Sequence, residues 1–140
     1  MNIRPYQPAD YEQFKALYLD TSTYGGQFDE NRDSQERLRK RVEADPDAII
    51  VAEENSKLVG TVSLIEDGRV AWLFRFAVGH AANENEVAAQ LCRHALEVLR
   101  GKGHHQVLVY TPVGNQDLDG RYEQLGFNRG GDYTCYWKDI

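Results

Sequence analysis

Apolar residues recur at intervals of three and four along several stretches of the chain, as they do on one face of a helix. This spacing predicts helices that begin after a cap at Asp10, run from Asp33 to about Ala44, span residues 84–100 and span residues 117–125. Asp33 and Glu36 stand at the spacing of a capping box, which favours a helix start at Asp33. Charged side chains dominate this second helix, so we expect most of its surface to face solvent.

Apolar and β-branched residues concentrate in shorter runs that predict strands. The runs are residues 2–6, 48–53, 57–65, 70–78, 106–110 and 133–138. Only a few turn-forming residues separate the second, third and fourth runs, which indicates an antiparallel meander. Trp72, Phe74 and Phe76 alternate along the fourth run, so they are predicted to share one face of the strand. That face is either part of the core or the wall of a cleft for an apolar ligand.

The order of these elements predicts one domain over residues 1–140. A strand, two helices, a three-stranded meander, a long helix and then a strand, a helix and a strand indicate the α/β (α+β) class, with helices flanking a mixed, mostly antiparallel central sheet. No repeat, low-complexity tract or linker divides the chain. Of its 140 residues, 41% are hydrophobic and 27% are charged, which is enough for a core and argues against wholesale disorder.

Charge and cysteine content exclude several classes of function. With 16 basic and 22 acidic residues the net charge is −6, which argues against nucleic-acid binding through bulk electrostatics and favours a cationic partner. Cys92 and Cys135 are too few for a disulfide scaffold. The adjacent His104 and His105 would point to opposite sides of a strand, so we expect no metal site. The chain shows no apolar run of membrane-spanning length and no signal-peptide core, so we expect a cytoplasmic protein without membrane association.

One set of residues in the second half of the chain resembles a known family. Its members are Phe76, Ala77, Val78, Asn115, Tyr122, Gly126 and Phe127. The segment from Asn115 reads NQDLDGRYEQLGF and is similar to the N-x-x-A-x-x-L-Y-x-x-x-G-F segment of the GNAT superfamily of N-acetyltransferases. Leu118 and Arg121 replace the usual Ala and Leu. The stretches IRPYQPADYEQFKALY and AIIVAEENSKLVGTVSL also resemble this family's first strand and its second and third strands.

The resemblance implies transfer of an acetyl group from acetyl-CoA to an amine by direct attack. It implies that backbone N–H groups near Phe76, Ala77 and Val78 meet the oxyanion, and that Tyr122 donates a proton to the leaving thiolate. Packing of Tyr122 on its helix is the alternative interpretation. Asn115 would hold the cofactor or the start of its helix, and the two roles are compatible.

The phosphate-binding loop of the family, [QR]-x-x-G-x-[GA], aligns with residues 83–88. These residues are Asn83, Glu84, Asn85, Glu86, Val87 and Ala88. Ala88 fits, whereas Asn83 replaces Gln or Arg and Glu86 stands at the glycine that lets a phosphate approach the backbone. The carboxylates of Glu84 and Glu86 oppose an anionic ligand, although acidic residues also favour the first turn of a helix with nothing bound.

Two functions therefore remain open at the level of sequence. One is an acetyltransferase that acts on a small-molecule or peptide amine, and the other is a non-catalytic binding or regulatory module that has lost coenzyme A binding. The acceptor would lie between residues 21–31 and the fourth strand, where Tyr24 and Phe28 either face a ligand or belong to a simple connector. No general base is evident. His80 follows the fourth strand and comes closest to the expected active cleft, but the pattern favours a simple loop histidine. The family often forms dimers, so a homodimer is possible.

Overall fold

Four antiparallel strands form the central sheet in the computed structural model, which describes residues 1–20, 27–80 and 83–140. The strands are β1 (Asn2–Pro5), β2 (Ile49–Glu54), β3 (Lys57–Glu66) and β4 (Ala71–Val78), and they lie in that order across the sheet. Leu108 adds one parallel bridge to Trp72 at the outer edge of β4. The sheet is therefore mixed and mostly antiparallel, which confirms the fold class expected from the sequence.

The described residues form four α-helices that begin close to their predicted starts. They are α1 (Tyr11–Asp20), α2 (Gln35–Ala44), α3 (Glu84–Gly101) and α4 (Gln116–Gln124). A short 3-10 turn, Pro8–Asp10, precedes α1. No helix among the described residues is long and apolar enough to cross a membrane.

Each face of the sheet carries its own apolar cluster, because successive side chains of a strand point to opposite sides. On one face, Ile50 and Val62 pack in a cluster with Leu91 of α3. On the other face, Ile49 belongs to a cluster with Phe14 of α1. The sheet therefore separates α3 and α4 from α1 and α2, and β4 contributes to both clusters.

The strands predicted at residues 106–110 and 133–138 are wrong for this chain. Within the first run only Leu108 pairs with the sheet, through hydrogen bonds to Ala71 and Leu73 of 2.9 Å each. The second run has no backbone hydrogen bond to any other described residue. Both runs contain good β-forming residues, but strand formation also needs a partner along the ladder, which a local pattern does not supply.

The predicted helix caps at Asp10 and Asp33 are also wrong. Asp10 ends the 3-10 turn, and its carboxylate accepts hydrogen bonds from Arg4 at 2.7 and 2.9 Å and from the Gln7 N–H at 2.8 Å. Ser34 caps α2, since its hydroxyl accepts a hydrogen bond from the backbone N–H of Arg37. Asp33 instead forms an ion pair with Arg75. Asp10 forms an ion pair with Arg4, and its bond from the Gln7 N–H completes a capping box in which Gln7, not Asp10, is the cap residue.

Candidate active site

A β-bulge interrupts β4 at Arg75 and redirects the end of the strand. Ser63 of β3 pairs with Phe74 and Thr61 pairs with Ala77, so one residue of β3 stands opposite two residues of β4. Arg75 has a φ of 51°, which non-glycine residues seldom adopt. The side chain of Phe76 consequently joins the buried cluster on the α3 face.

The bulge corrects the predicted alternation of Trp72, Phe74 and Phe76. Phe76 is buried in the cluster on the α3 face, whereas Trp72 is half-buried and Phe74 is exposed. The extra residue shifts the period of two, so that Phe76 leaves the face that Trp72 and Phe74 share. The three rings therefore form neither one core face nor one cleft wall.

Side chains from distant parts of the chain hold the bulge. The hydroxyl of Tyr18 in α1 donates a hydrogen bond to the carbonyl oxygen of Arg75. The guanidinium of Arg75 lies 3.2 Å from the buried carboxylate of Asp33 and 4.7 Å from the ring centre of Phe74. Burial raises the pKa of Tyr18 well above its usual value, so this hydroxyl keeps the proton that it donates. No sequence signal pointed to Tyr18 or Asp33 as parts of this site.

Tyr122 lies against the part of β4 that follows the bulge. It is 5% exposed, and its ring centre lies 6.4 Å from that of Phe76 and 5.6 Å from that of Phe127. The backbone N–H of Phe127 donates to the carbonyl of Tyr122 at 3.0 Å, which closes the end of α4. The fold thus brings Tyr122 beside the strand segment for which the resemblance implies oxyanion binding.

Asn115 caps the start of α4, as the residue type suggested. Its side-chain oxygen accepts a hydrogen bond of 3.1 Å from the backbone N–H of Leu118. Residues 113–117 line an open depression of about 560 Å³ at this helix end. Asn115 therefore stabilises the helix that carries Tyr122 and also faces a concave surface.

The first turn of α3 carries backbone N–H groups that the helix itself does not use. Asn83 occupies the cap position without a side-chain cap bond. The backbone N–H groups of residues 84–86 have no hydrogen-bond partner among the described residues. Asn85 and Glu86 are exposed, whereas Val87 and Ala88 are fully buried and anchor the turn. The positive end of the helix dipole lies at such a turn, and the turn therefore attracts anions.

Both carboxylates of this turn have partners. Glu84 lies 3.8 Å from the guanidinium of Arg121 in α4 and 3.2 Å from Nδ1 of His80. Glu86 accepts a hydrogen bond of 2.6 Å from the amide of Gln90, one turn further along the helix. The Glu86 side chain therefore folds along α3, which leaves its backbone N–H open, and Arg121 places a positive charge at the same helix end.

Gly60 lets α3 approach β3 closely. A Cβ on this residue would lie 2.7 Å from Cδ1 of Leu91 and 2.8 Å from Cγ1 of Val87. The first two turns of α3 consequently rest directly on the backbone of β3. This close approach fixes the position of the first helical turn relative to the end of β4.

The remaining sequence candidates lie outside this arrangement. Nε2 of His104 is 2.8 Å from a carboxylate oxygen of Glu66, and this hydrogen bond and one from the backbone N–H of Gly68 lower the pKa of Glu66. Burial raises the pKa of the Cys92 thiol to about 11. Tyr24 falls outside the described residues. Among the residues described, no group of three or more His, Cys, Asp or Glu is arranged to hold a metal ion.

Comparisons with known proteins agree with this arrangement of elements. The sequence pattern described as the Acetyltransferase (GNAT) family matches residues 11–127. Among proteins with curated descriptions, none is significantly similar to this chain in sequence.

Three solved structures illustrate the similarity of the fold. An aminoglycoside 6'-N-acetyltransferase from Acinetobacter haemolyticus is 17% identical with a TM-score of 0.76, over 100% of this chain and 99% of that one. A transcriptional regulator from Bacillus halodurans is 21% identical with a TM-score of 0.75, over 98% and 99%. The PaiA N-acetyltransferase from Thermoplasma acidophilum, in complex with coenzyme A, is 20% identical with a TM-score of 0.73, over 88% and 86%. At these identities the likeness shows a shared fold.

Proposed function

Because the chain belongs to the GNAT family of acetyltransferases, we propose that it transfers an acetyl group from acetyl-CoA to an amine by direct attack. The observation that carries this proposal is the position of Tyr122 against Phe76, just after the bulge of β4. Tyr122, the proposed proton donor, then lies beside the bulged strand β4, and β4 is followed in the chain by the open first turn of α3. This combination supplies the groups that thioester aminolysis requires.

The first turn of α3 is the proposed site for the pyrophosphate of the coenzyme. Backbone N–H groups of residues 84–86 would bind its oxygens, and the guanidinium of Arg121 would offset its charge. The bond between Glu86 and Gln90 supports this fit, because it directs the carboxylate along the helix. Glu84 forms an ion pair with Arg121 that offsets its negative charge, so it repels the ligand less than an unpaired carboxylate would.

The chemistry follows from these positions. The unprotonated amine attacks the thioester carbonyl carbon, a C–N bond forms, and the C–S bond breaks. Backbone N–H groups of residues 76–78 stabilise the negative charge that develops on the carbonyl oxygen. Tyr122 gives its hydroxyl proton to the departing thiolate, and the proton released from the amine nitrogen passes to water. The tyrosinate then regains its proton from solvent.

A small-molecule or peptide amine is the proposed acceptor. We expect it on the side of β4 where residues 27–33 meet the bulge through Asp33 and Arg75. The net charge of −6 favours the approach of a cationic amine over that of an anionic one. Because Arg75 already neutralises Asp33, we expect the acceptor's positive charge to be attracted by the surface as a whole.

One observation favours a second function. Glu84 places a carboxylate beside Arg121 at the helix end, so the chain itself supplies an anion where a phosphate would bind. A regulatory or binding module on this fold, without coenzyme A, would keep that pair intact. The two functions therefore differ in whether the helix end accepts an external anion.

An amine panel with acetyl-CoA tests the proposal through release of the coenzyme thiol, measured with a thiol reagent. The exposed Cys135 also reacts with such a reagent, so the signal from one thiol per chain is subtracted. Cys92 is buried and is therefore protected from the reagent. Turnover with at least one amine is expected. Tyr122→Phe keeps the buried ring and removes the proton donor, so kcat should fall about 10²-fold or more with little change in KM for acetyl-CoA.

Equal turnover by the wild type and Tyr122→Phe would refute the acid role of Tyr122. The absence of turnover with every amine, together with the absence of acetyl-CoA binding, would favour the regulatory module instead. Tyr6→Phe is the matched control, because Tyr6 is buried like Tyr122 and lies on the other face of the sheet. This control should leave kcat unchanged.

A further inference from the structure

Arg75 carries two features that cost stability inside a strand. Among the described residues, three non-glycine residues have a positive φ, and two of them, Asn55 and Ser56, form the turn between β2 and β3. Arg75, with a φ of 51°, lies within β4 instead. Its Nε–H is also buried without a hydrogen-bond partner among the described residues. Such features persist where the surrounding structure imposes them, and they cluster at functional sites.

The carboxylate that pairs with Arg75 is held by its own segment of the chain. The guanidinium lies 3.2 Å from the carboxylate of Asp33, whose side chain is 6% exposed. The same carboxylate accepts a hydrogen bond of 2.8 Å from the backbone N–H of Asp29. The Asp33 N–H in turn donates to the Asp29 carbonyl at 2.8 Å. Asp33 is therefore a fixed point, and the ion pair draws the Arg75 side chain to it.

The segment that contains Asp33 is attached to α1. The ring centre of Phe28 lies 6.5 Å from that of Tyr11 and 6.5 Å from that of Tyr18. The ammonium group of Lys15 lies 5.2 Å from the centre of the Phe28 ring. The ion pair therefore links the bulge of β4 to the connection between α1 and α2.

The hold on Arg75 sets the direction of the backbone N–H that follows it. No peptide bond among the described residues is cis. The carbonyl of Arg75 and the N–H of Phe76 belong to one trans peptide, so they point in opposite directions. The hydroxyl of Tyr18 in α1 donates to this carbonyl. The Phe76 N–H consequently points away from Tyr18.

We propose that Asp33 and Arg75 are positioning residues for acetyl transfer. Their ion pair holds residue 75 in its left-handed conformation and so keeps the Phe76 N–H directed at the carbonyl oxygen of the thioester. Both act through the backbone of β4, and neither contacts the coenzyme in this role. The inference rests on the proposed function, because the Phe76 N–H is one of the groups proposed to stabilise the oxyanion.

Asp33→Asn tests this role, because it removes the charge that pairs with Arg75 and keeps the size of the side chain. The unpaired guanidinium then turns toward water and releases residue 75. With the best amine of the panel, kcat should fall about ten- to a hundredfold with an unchanged KM for acetyl-CoA. Asp67→Asn is the matched control, since Asp67 pairs with Arg69 in the exposed turn between β3 and β4. This control should keep the kcat of the wild type.

A second substitution at residue 75 distinguishes positioning from a merely structural ion pair. Arg75→Gly and Arg75→Ala both remove the unpaired guanidinium, but only glycine adopts a positive φ without a steric cost. In the Asp33→Asn background, Arg75→Gly should restore kcat to within about threefold of the wild-type value, whereas Arg75→Ala should not. Each kcat is expressed per coenzyme A site, counted by calorimetric titration, so unfolded protein does not lower it.

The φ of residue 75 is also measurable without turnover, from the coupling between its N–H and Hα protons in a nuclear magnetic resonance spectrum. This coupling should differ between the wild type and Asp33→Asn, and an unchanged coupling would overturn the inference.

The kinetic outcomes distinguish this inference from the proposed function. A wild-type kcat in Asp33→Asn, or equal kcat values for the two double variants, would overturn the positioning role while acetyl transfer stands. A wild type that neither turns over with any amine nor binds acetyl-CoA would refute the proposed function, and the positioning role with it.

Discussion

Replacing Gly60 with alanine should push α3 away from the sheet. The added Cβ would lie 2.7 Å from Leu91 Cδ1, 2.8 Å from Val87 Cγ1 and 3.3 Å from the carbonyl oxygen of Ala77. Leu91 and Val87 are 0% and 1% exposed, so neither methyl group can move into solvent. The strain therefore spreads to the helix or the backbone of β3.

The expected cost is that of an overpacked core, about 1–3 kcal/mol in the free energy of unfolding. For a chain of this length, 1 kcal/mol corresponds to roughly 4 °C in the unfolding midpoint, so the variant should melt about 4–12 °C lower. A shift of Val87 also moves the first turn of α3. We therefore expect weaker binding of coenzyme A in addition to lower stability.

Differential scanning calorimetry with and without coenzyme A measures both effects. Gly101→Ala is the matched control, since it lies at the end of the same helix and its Cβ would meet no heavy atom within 4 Å. This control should be neutral or stabilising by up to about 1 kcal/mol. Equal unfolding midpoints for Gly60→Ala and the wild type would refute the close packing of α3 on β3.

Three further predictions follow from individual contacts. Glu86→Gly should strengthen coenzyme A binding several-fold in a calorimetric titration. Glu86→Gln keeps the size of the side chain and removes its charge, so it should reproduce the part of the gain that comes from charge. Weaker binding by both variants would contradict the proposed pyrophosphate site. Tyr18→Phe leaves the carbonyl of Arg75 without its buried donor, so urea unfolding should show a loss of about 1–3 kcal/mol, and an unchanged midpoint would contradict that role. Although burial raises the pKa of Asp10, hydrogen bonds from Arg4 and a backbone N–H outweigh it and lower that pKa. The stabilisation is therefore complete above about pH 5 and is lost as the pH falls through the lowered pKa, so Asp10→Asn should show a smaller loss of stability in acid than the wild type.

Periodicity predicted the elements whose partners are near in sequence. The strands β2, β3 and β4 follow one another through short turns, so each run finds its neighbour at once. The apolar stripe of α3 likewise identifies its buried face, including Leu91 and Ala95. Residues 106–110 and 133–138 are rich in residues that favour strands. Whether they pair depends on which backbone lies beside them in three dimensions.

A pattern of polar and apolar positions does not predict the bulge at Arg75. An arginine gives no hint of a positive φ, and the donor that holds its carbonyl, Tyr18, is 57 residues earlier in the chain. A one-residue insertion also reverses every face assignment after it, which is why the prediction for Phe76 is wrong. Long-range hydrogen bonds of this kind leave no local signal.

In the candidate site, the contacts between residues near in sequence were predictable and the contacts between distant residues were not. Asn115 capping α4 is a local contact and follows from the residue type. The direction of the Glu86 side chain was not predictable, because several rotamers are open to an exposed glutamate on a helix and only the structure shows the bond to Gln90. The pairing of Glu84 with Arg121 joins two helices, so neither residue indicates it alone.

The central claim, that this chain binds acetyl-CoA, is tested most directly by thermal unfolding with increasing acetyl-CoA and with desulfo-coenzyme A in parallel. At a hundred times the dissociation constant a ligand stabilises the folded state by about 2.7 kcal/mol. For this chain that predicts a saturable rise of about 5–15 °C in the unfolding midpoint with both ligands. An unchanged midpoint with either ligand at about millimolar concentration would contradict the claim.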